Sequence, residues 1–308
     1  MSAIRDISKP KTRRGKKFVE NKSPKVIENV KTTCFIRGST ANNTVLTAMK
    51  NLNALKKPHG VFFNRKNEMR PFEDIIPIET FCQKNDASFF MFGSHNKKRP
   101  NNLIIGRMYD FHLLDMFELG IEKFKSLEDF KVPKISCSTK PLLLFVGELF
   151  EDPIYQRLKN LLIDFFRGPE VSMIRLQGLE HVIMITADDG KLYFRSYRIV
   201  MKKSGTKTPY IELIEIGPSL DMVLRRNKMA SDDLFKLARK QPKVLKPKKV
   251  KNIKKNVFGS KLGRIHMKRQ NFKQLNTRKM KGLKKNFPSG GKRKGRANSG
   301  PLAKKAKA

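Results

Sequence analysis

The sequence predicts an α/β domain made of two similar halves, followed by a long basic tail. Apolar segments of strand length alternate with segments of helical period, and the order strand, long helix, strand, charged turn, strand occurs twice. The formal net charge is +40, and it is unevenly distributed. Residues 241–308 carry 24 basic side chains and no acidic one, whereas residues 31–240 carry 34 basic and 24 acidic side chains. The tail is therefore purely basic, whereas the middle of the chain carries both charges and is only mildly basic.

These boundaries divide the chain into three predicted parts. Residues 1–30 form a basic N-terminal extension, and residues 241–308 form the basic tail. Residues 31–240 form the α/β domain, whose halves cover about 31–139 and 140–240. The α/β domain has enough apolar residues for a sizeable core, whereas a tail without acidic residues cannot bury enough surface to fold by itself. We expect the tail to be largely extended or helical and its end to be disordered.

The first half is predicted to alternate strands with helices. A helix with apolar residues at helical spacing follows the first strand, and Thr40 or Asn42 is placed to cap it. The predicted elements, in chain order, are a strand at Cys34–Gly38, the helix from Val45 to Leu55, a strand at Val61–Phe63, a short helix at Ile78–Gln83, and strands at Ser88–Phe92 and Asn102–Tyr109.

The second half begins again with an apolar run, Leu142–Val146, which has the composition of a buried central strand. A helix follows, with Asp152 as its predicted cap and Pro153 in its first turn. The remaining predicted elements are strands at His181–Thr186 and Lys191–Val200 around the turn Asp188–Gly190, a strand pair at Ile211–Ile216 and Leu220–Leu224, and a helix at Asp232–Ala238 capped by Ser231. LIIGRMYDF (103–111) and LYFRSYRIV (192–200) both place an arginine among apolar residues, as an internal duplication would.

The residues give little support to an enzymatic function. The sequence contains no Walker A pattern, no HExxH motif and no GxSxG elbow. His95 has no carboxylate near it in sequence and is interpreted as a loop or structural histidine, and Asp188-Asp189 is interpreted as turn chemistry before Gly190. Cys34, Cys82 and Cys137 form no CxxC pair, which indicates buried free thiols in a reducing compartment. We therefore expect no catalytic residue, no metal and no cofactor.

The charge instead predicts a polyanionic partner, most commonly nucleic acid. No stretch approaches the roughly 20 apolar residues of a membrane-spanning helix, and the polar, basic N-terminus has no signal-peptide core. KPKTRRGKK (9–17) and KPKKVKNIKK (246–255) are adequate nuclear-import signals. An RNA-binding protein and a basic protein that binds DNA or chromatin both fit these observations.

Candidate RNA contacts lie in two places. One is the stretch MFGSHNKKRPNN (91–102), between two predicted strands, where Lys97, Lys98 and Arg99 are each able to meet a phosphate. A solvated turn is the plainer interpretation of this triplet. A third interpretation is a structural role, in which Arg99 or Arg107 pairs with carboxylates such as Glu73 or Asp74 and forms a clasp that organises the fold.

The second place is the tail, where apolar residues from Phe258 to Leu283 interrupt the basic ones and suggest ordering on a partner. A disordered, solubilising tail is the alternative. The complete set of predicted RNA-binding residues is Lys97, Lys98, Arg99, Arg107, Lys246, Lys248, Lys249, Lys251, Arg264, Lys268, Arg269, Arg278, Lys279, Lys281, Lys284 and Lys285.

Several blocks in order resemble the Brix-domain family, and in particular its large-subunit ribosome assembly factors. The similarity spans about residues 9–285. The blocks are RPFED (70–74), MFGSHNKKRPNNLIIGRMYD (91–110), LLIDFFRGP (161–169), LYFRSY (192–197), IEIGPSLDMVLRR (214–226) and GRIHMKRQNFKQLNTRKMKGLKK (263–285). The resemblance implies an α/β fold of two related halves and a non-enzymatic scaffold in the nucleolus.

The same resemblance implies specific partners. These are 5S rRNA and large-subunit pre-rRNA, the assembly factor called regulator of ribosome synthesis 1, the two ribosomal proteins of the 5S ribonucleoprotein, and the precursor of the 60S subunit. The implied role is to help bring the 5S ribonucleoprotein into that precursor and to support pre-rRNA maturation.

Overall fold

The structure is a computed structural model that describes residues 10–23, 26–136, 138–171, 173–206, 208–246 and 250–270, without the side chains of residues 21, 22 and 177. The chain divides into two compact units, Met1–Pro247 and Lys248–Ala308. Among the described residues, the helices are too short and too polar to cross a membrane.

The elements of the first unit follow the predicted order. The N-terminal extension contains a helix that the sequence analysis does not predict, α1 (Arg13–Lys22). The first half consists of β1 (Thr33–Gly38), α2 (Asn43–Lys56), β2 (Gly60–Asn67), α3 (Ile76–Asn85), β3 (Phe89–Asn96), β4 (Arg99–Tyr109) and β5 (His112–Lys125). The second half consists of β6 (Leu142–Val146), α4 (Pro153–Phe166), β7 (His181–Asp188), β8 (Lys191–Lys202), β9 (Tyr210–Glu215), β10 (Ser219–Met229) and α5 (Asp232–Ala238).

Ten strands of the described residues form one sheet, in the order β2-β1-β3-β4-β5-β10-β8-β7-β6, with β9 paired to β8. β1 runs parallel to β2 and β3, β6 runs parallel to β7, and the other pairs are antiparallel. β5 pairs with β10 at the centre and joins the halves. Strands β1, β3, β4 and β5 thus correspond to β6, β7, β8 and β10, which confirms the two similar halves. The two compared arginine segments lie in the corresponding strands β4 and β8.

One face of the sheet, which we call the inner face, carries the main core. α2 and α4 both pack on it, and Phe165 of α4 packs edge-on against Phe35 of β1 and Phe89 of β3, at ring-centroid distances of 6.3 and 5.5 Å. Because α4 belongs to the second half and these two strands to the first, its aromatic side chains fix the halves to each other.

The opposite face, the outer face, is covered in the first half by α3. Ile78 and Cys82 of α3 are fully buried against Cys34, Ile36 and Phe90. Cys34 and Cys82 are free, buried thiols, as the sequence predicts, whereas Cys137 lies outside the described residues. The Cys82 thiol donates a hydrogen bond to the Cys34 sulfur, which raises the pKa of Cys82, and burial raises it further. The pair therefore behaves as small buried apolar side chains.

The predicted helix caps are partly confirmed. Asn42 Oδ1 accepts a hydrogen bond from the Val45 N–H at 3.0 Å and caps α2, and Ser231 Oγ accepts one from Leu234 N–H at 3.4 Å and caps α5. Asp152 occupies the N-cap position of α4, but its side chain makes no capping bond. Pro153 sets the start of that helix instead, since its fixed φ suits the first turn.

Three strand predictions require correction. Leu142–Val146 is not a central strand: it is the edge strand β6, with alternating exposed side chains, because nothing in the second half corresponds to β2. β9 and β10 do not pair with each other, since both lie against β8. No strand was predicted where β5 forms, because the buried acidic residues Asp115 and Glu118 interrupt its apolar pattern.

His181 gives stability a specific pH dependence. It is 5% exposed at the start of β7, and its Nε2 lies 2.8 Å from Ser196 Oγ. Burial lowers the pKa of His181 from 6.5 to about 4, so folding favours the neutral ring. This contribution is present above pH 6.5 and is lost as pH falls towards 4, by about 3 kcal/mol in total. Urea unfolding at pH 7 and pH 5 measures the loss.

A His181→Gln variant is the control, because its amide can still bond Ser196 but does not titrate in this range. We expect its free energy of unfolding to fall less steeply between pH 7 and pH 5 than that of the parent chain. Parallel curves for the two chains would mean that His181 is not responsible.

Candidate nucleic-acid interface and an uncovered sheet face

The basic triplet lies at the tip of the β3–β4 hairpin. Lys97 and Lys98 form the turn and are exposed. Neither forms an ion pair with a carboxylate of the described residues. Short β-turns place side chains outward on a fixed backbone, so the two ammonium groups are displayed in one place and remain available to an anion.

Hydrogen bonds hold this tip against the loop between β1 and α2. The backbone N–H of His95 donates to Thr40 Oγ1 at 3.3 Å, and the Asn42 amide donates to Asn101 Oδ1 at 2.6 Å. His95 Nδ1 accepts from the backbone N–H of Asn101 at 3.1 Å. Asn101 has φ +48°, a conformation that asparagine tolerates better than most residues. His95 therefore shapes the tip from within β3, so it is a structural histidine of a strand and not a loop histidine.

Arg99 differs from the two lysines because it faces a buried carboxylate. Its Nη1 lies 3.8 Å from Oε1 of Glu118, which is fully buried. Glu118 also accepts a hydrogen bond from Asn102 Nδ2 at 2.6 Å and one from Arg226 Nε. A buried carboxylate is costly unless it is paired and hydrogen-bonded, and these groups supply both requirements. Arg99 thus belongs to a structural cluster around Glu118.

Three of the sequence blocks that carry the family resemblance meet at this cluster. RPFED contributes Phe72, whose ring lies 4.1 Å from the guanidinium carbon of Arg226. The pairing register of β10 shifts between Leu224 and Arg226, and such a bulge puts two successive side chains on one face. Arg225 accordingly lies over Gly120 and donates to Asn102 Oδ1 at 3.1 Å. Sequence reasoning missed Glu118 and both arginines, although an acidic residue within the run MFELGI was a signal.

Arg107 lies inside the protein. Its Nη2 is 2.5 Å from Asp115 Oδ2, and its Nη1 is 3.5 Å from Asp164 Oδ2 and 2.9 Å from Asn160 Oδ1. The structure therefore assigns it an internal role, and we leave it out of the proposed RNA surface. Arg195 on the corresponding strand β8 makes the equivalent pair with Asp221, at 2.6 Å.

The carboxylates expected to clasp Arg99 or Arg107 have other partners. Glu73 pairs with Arg70 at 3.0 Å, and Asp74 Oδ1 accepts from the Ile76 N–H at the start of α3. The clasp exists, but Glu118, Asp115 and Asp164 form it. These residues are distant in sequence from the arginines or belong to another strand.

Part of the predicted tail interface belongs to the second unit. There, β11 (Ile253–Lys255) and β12 (Lys261–Gly263) form a small antiparallel hairpin, so this stretch is extended rather than helical. Its turn displays Val257 and Phe258, which are 95% and 91% exposed. The described candidate cations are all exposed: Lys246, Lys251, Arg264, Lys268 and Arg269. The other candidates, Lys248, Lys249, Arg278, Lys279, Lys281, Lys284 and Lys285, lie outside the described residues.

A second surface is apolar and uncovered. On the outer face of the second half, Leu142, Leu144 and Val146 of β6 are 36%, 45% and 49% exposed. Leu144 lies beside Met184 of β7, which in turn is paired with Arg195 of β8. β9 extends the apolar surface with Leu213, which is 44% exposed. We call this surface the uncovered face.

Comparison of the two halves explains why this face is exposed. In the first half, the chain leaves α2 through β2 and α3 before it reaches β3. In the second half, it passes from α4 to β7 with only a short turn of 3-10 helix among the described residues. The described part of the second half thus has no counterpart of α3, the helix that buries the outer face of the first half. An apolar sheet face left in this way is typical of a protein-binding site.

Basic residues border the uncovered face. A cleft of about 410 Å³ is lined by Lys123, Lys125 and Arg195 together with Glu215, Ser219 and Asp221. Arg195 is already paired with the two acidic residues, at 2.6 Å to Asp221 and 3.8 Å to Glu215, whereas the two lysines are free of ion pairs among the described residues. This border favours a partner segment with an apolar stripe and acidic flanks.

Comparisons with known proteins identify the family of the chain. Residues 38–226 match the family described as Brix domain. The chain is 58% identical over 265 residues to "Ribosome production factor 2 homolog" of Mus musculus, covering 86% of this chain and 87% of that protein. It is 59% identical over 264 residues to the human protein of the same name, covering 85% and 86%. It is 41% identical over 295 residues to "Ribosome biogenesis protein RPF2" of Saccharomyces cerevisiae, covering 92% and 86%.

Proposed function

Because the chain belongs to the Brix-domain family of ribosome biogenesis factors, we propose that it is a non-catalytic assembly factor of the large ribosomal subunit. It binds rRNA and a partner assembly factor in the nucleolus. With that partner it helps bring 5S rRNA and its two ribosomal proteins to the 60S precursor, and it supports pre-rRNA maturation. The chain uses no cofactor or metal in this role.

The observation that carries the proposal is the distribution of charge. Segment 241–308 carries 24 basic and no acidic side chains, whereas residues 31–240 carry 34 basic and 24 acidic ones, so most of the excess positive charge lies in this segment. Each phosphate contact that such a segment makes releases condensed counterions, so it binds nucleic acid without reading sequence. Selection of the correct RNA then depends on RNA shape and on the bound protein partner.

The uncovered face supports the part of the proposal that concerns the protein partner. We assign this face to regulator of ribosome synthesis 1, which would supply the missing counterpart of α3. A helix with an apolar stripe fits between the side chains of β6, β7 and β8, and acidic flanks would meet Lys123 and Lys125. Such a partner completes the second half as α3 completes the first.

Sedimentation of cell extracts tests the proposal. The chain should co-sediment with 60S precursors that contain 5S rRNA, and RNase but not DNase should release it. Release by DNase, with no sedimentation in the precursor fractions, would favour the alternative of a DNA-binding or chromatin-binding protein.

The hairpin tip provides a prediction that separates RNA contact from folding. Changing Lys97 and Lys98 together to Glu should lower RNA affinity about tenfold and leave the free energy of unfolding within about 0.5 kcal/mol, since both side chains are exposed. Arg99→Glu should instead destabilise the fold by a few kcal/mol, because it places a second carboxylate beside buried Glu118. Filter binding and urea unfolding measure the two effects.

The opposite pattern would contradict this assignment. Loss of stability in the double lysine variant would make the whole triplet part of the structural cluster. Unchanged RNA affinity in that variant, with normal stability, would leave Lys97 and Lys98 as a solvated turn.

A further inference from the structure

The topology of the first half creates a crevice at one end of the sheet. The parallel strands β2, β1 and β3 end together, at Asn67, Gly38 and Asn96. The connection after β1 leads to α2 on the inner face, whereas the connection before β3 passes through α3 on the outer face. At its carboxyl end β3 runs directly into the β3–β4 turn, so the β1–α2 loop and this turn lie side by side at the edge of the sheet where open α/β sheets bind ligands.

Polar groups from both strands line this crevice. Ser39 and Thr40 follow Gly38 and are exposed. Thr40 Oγ1 accepts a hydrogen bond from the His95 backbone beyond the end of β3, so the two loops are in contact. The turn Lys97-Lys98 begins two residues later. The connections that follow β1 and β3 thus bring hydroxyl and ammonium groups to the same edge of the sheet.

Arg37 is the least expected member of this group. It lies on β1 opposite Gly93 of β3 and is half-buried. Its Nε is buried with no hydrogen-bond partner, and its guanidinium forms no ion pair with a described carboxylate. The arginines of β4 and β10 named above are all paired with or bonded to acidic or amide side chains. An unpaired arginine next to a crevice indicates that the crevice receives an anion.

The surroundings are also free of acidic residues in the elements that build the crevice. Segments 31–67 and 87–109 contain eleven Lys and Arg residues and no Asp or Glu. Glu118 is the nearest carboxylate identified at the tip, and Arg226 and Asn102 already bond it. Arg65 and Lys66, both exposed, continue the basic edge at the end of β2, and exposed Glu68 is the first carboxylate after that strand. The positive potential therefore extends along the edge rather than ending in an enclosed pocket.

We propose that this crevice, formed by Arg37, Ser39, Thr40, Lys97 and Lys98, binds a phosphate group of an RNA backbone. Free nucleotides offer the same chemical group, but a row of cations along an open edge fits successive phosphates of one strand. The proposal rests on the RNA-binding function proposed above and gives that function a site in the folded domain, separate from the tail.

A matched pair of variants at Ser39 tests the site in the full-length chain. Ser39→Asp places a negative charge at the mouth of the crevice, and Ser39→Asn adds a side chain of the same size without charge. The backbone N–H of Ser39 can keep its hydrogen bond to the Asn67 carbonyl in both. We expect Ser39→Asp to bind single-stranded RNA about tenfold more weakly than Ser39→Asn, the size of one charge-assisted hydrogen bond.

A third variant and a competitor complete the experiment. Arg37→Gln should also weaken RNA binding several-fold. Lys84→Gln, which removes one positive charge at an exposed position of α3, should not. A mononucleotide should not displace the RNA at an equal concentration of phosphate groups. If the mononucleotide displaces the RNA, the ligand of the crevice is a nucleotide and not the RNA backbone.

The possible failures are distinguishable. If the parent chain binds RNA but the two Ser39 variants bind it equally, the crevice is not a site and the tail remains the RNA-binding element. If the parent chain shows no salt-sensitive RNA binding, the proposed function itself is wrong. Thermal unfolding of each variant identifies loss of affinity that arises from misfolding, and equal affinity of folded Arg37→Gln and Lys84→Gln chains would also overturn the proposal.

Discussion

Removal of residues 241–308 is expected to reduce RNA affinity at moderate salt by several orders of magnitude. The deleted segment carries 24 cations and no anion. If roughly ten of these cations meet phosphates, the slope of log affinity against log salt should flatten by about seven to nine units. The remaining chain keeps the crevice and the hairpin tip, so a weak RNA affinity with a shallow salt dependence should persist. Equilibrium binding to single-stranded RNA between 50 and 200 mM salt measures both quantities.

Controls for this prediction must separate the effect of the tail's charge from the effects of its length and of any loss of folding. A chain in which the tail cations are replaced by glutamine keeps the length of the tail and should behave like the truncated chain. The truncation leaves all of α1–α5 and the large sheet, so the urea midpoint should be nearly unchanged. Equal salt slopes for the full and truncated chains would assign the electrostatic attraction to the folded domain instead.

Most of the fold could be predicted because local signals matched it. Apolar spacing identified α2 and α4, turn residues bounded the β3–β4 and β7–β8 hairpins, and the repeated pattern indicated two halves. The failures have a common physical cause, which is tertiary context. Leu142–Val146 has the composition of a buried strand but lies at an edge, since a sequence pattern does not reveal that a neighbouring strand is missing.

The candidate site was less predictable than the fold. A short basic turn indicates exposure, and Lys97 and Lys98 are indeed exposed. The same pattern also included Arg99, whose partner Glu118 belongs to another strand, and Arg107, whose partners include Asp164 of the second half. Spacing along the chain carries no information about such pairs. The crevice at Arg37 could not be predicted either, because it depends on the order of the parallel strands. That order is set by which strands pair in the folded protein.

Substitution of Leu144 and Val146 together by Asp is expected to abolish binding of the proposed partner, regulator of ribosome synthesis 1, with a loss of at least about a hundredfold in affinity. Both side chains lie on the uncovered face, and an apolar partner surface cannot solvate the two carboxylates. The isolated chain should remain folded, because these side chains already face water. It should also become more soluble, since charges on an apolar edge strand hinder association between strands. Calorimetric titration with the purified partner measures the affinity.

Ile76→Asp on α3 is a matched control, because Ile76 is 67% exposed but lies outside the uncovered face. It introduces the same kind of charge at the start of a helix, where a carboxylate is tolerated or favourable. The control should bind the partner normally. If both variants bind the partner normally, the uncovered face is not the partner site. If only the β6 variant loses partner binding while the salt dependence of its RNA binding is unchanged, then the partner and RNA bind to separate surfaces. That separation is what a scaffold needs, because the bound partner then leaves the cationic tail and the crevice free to hold RNA.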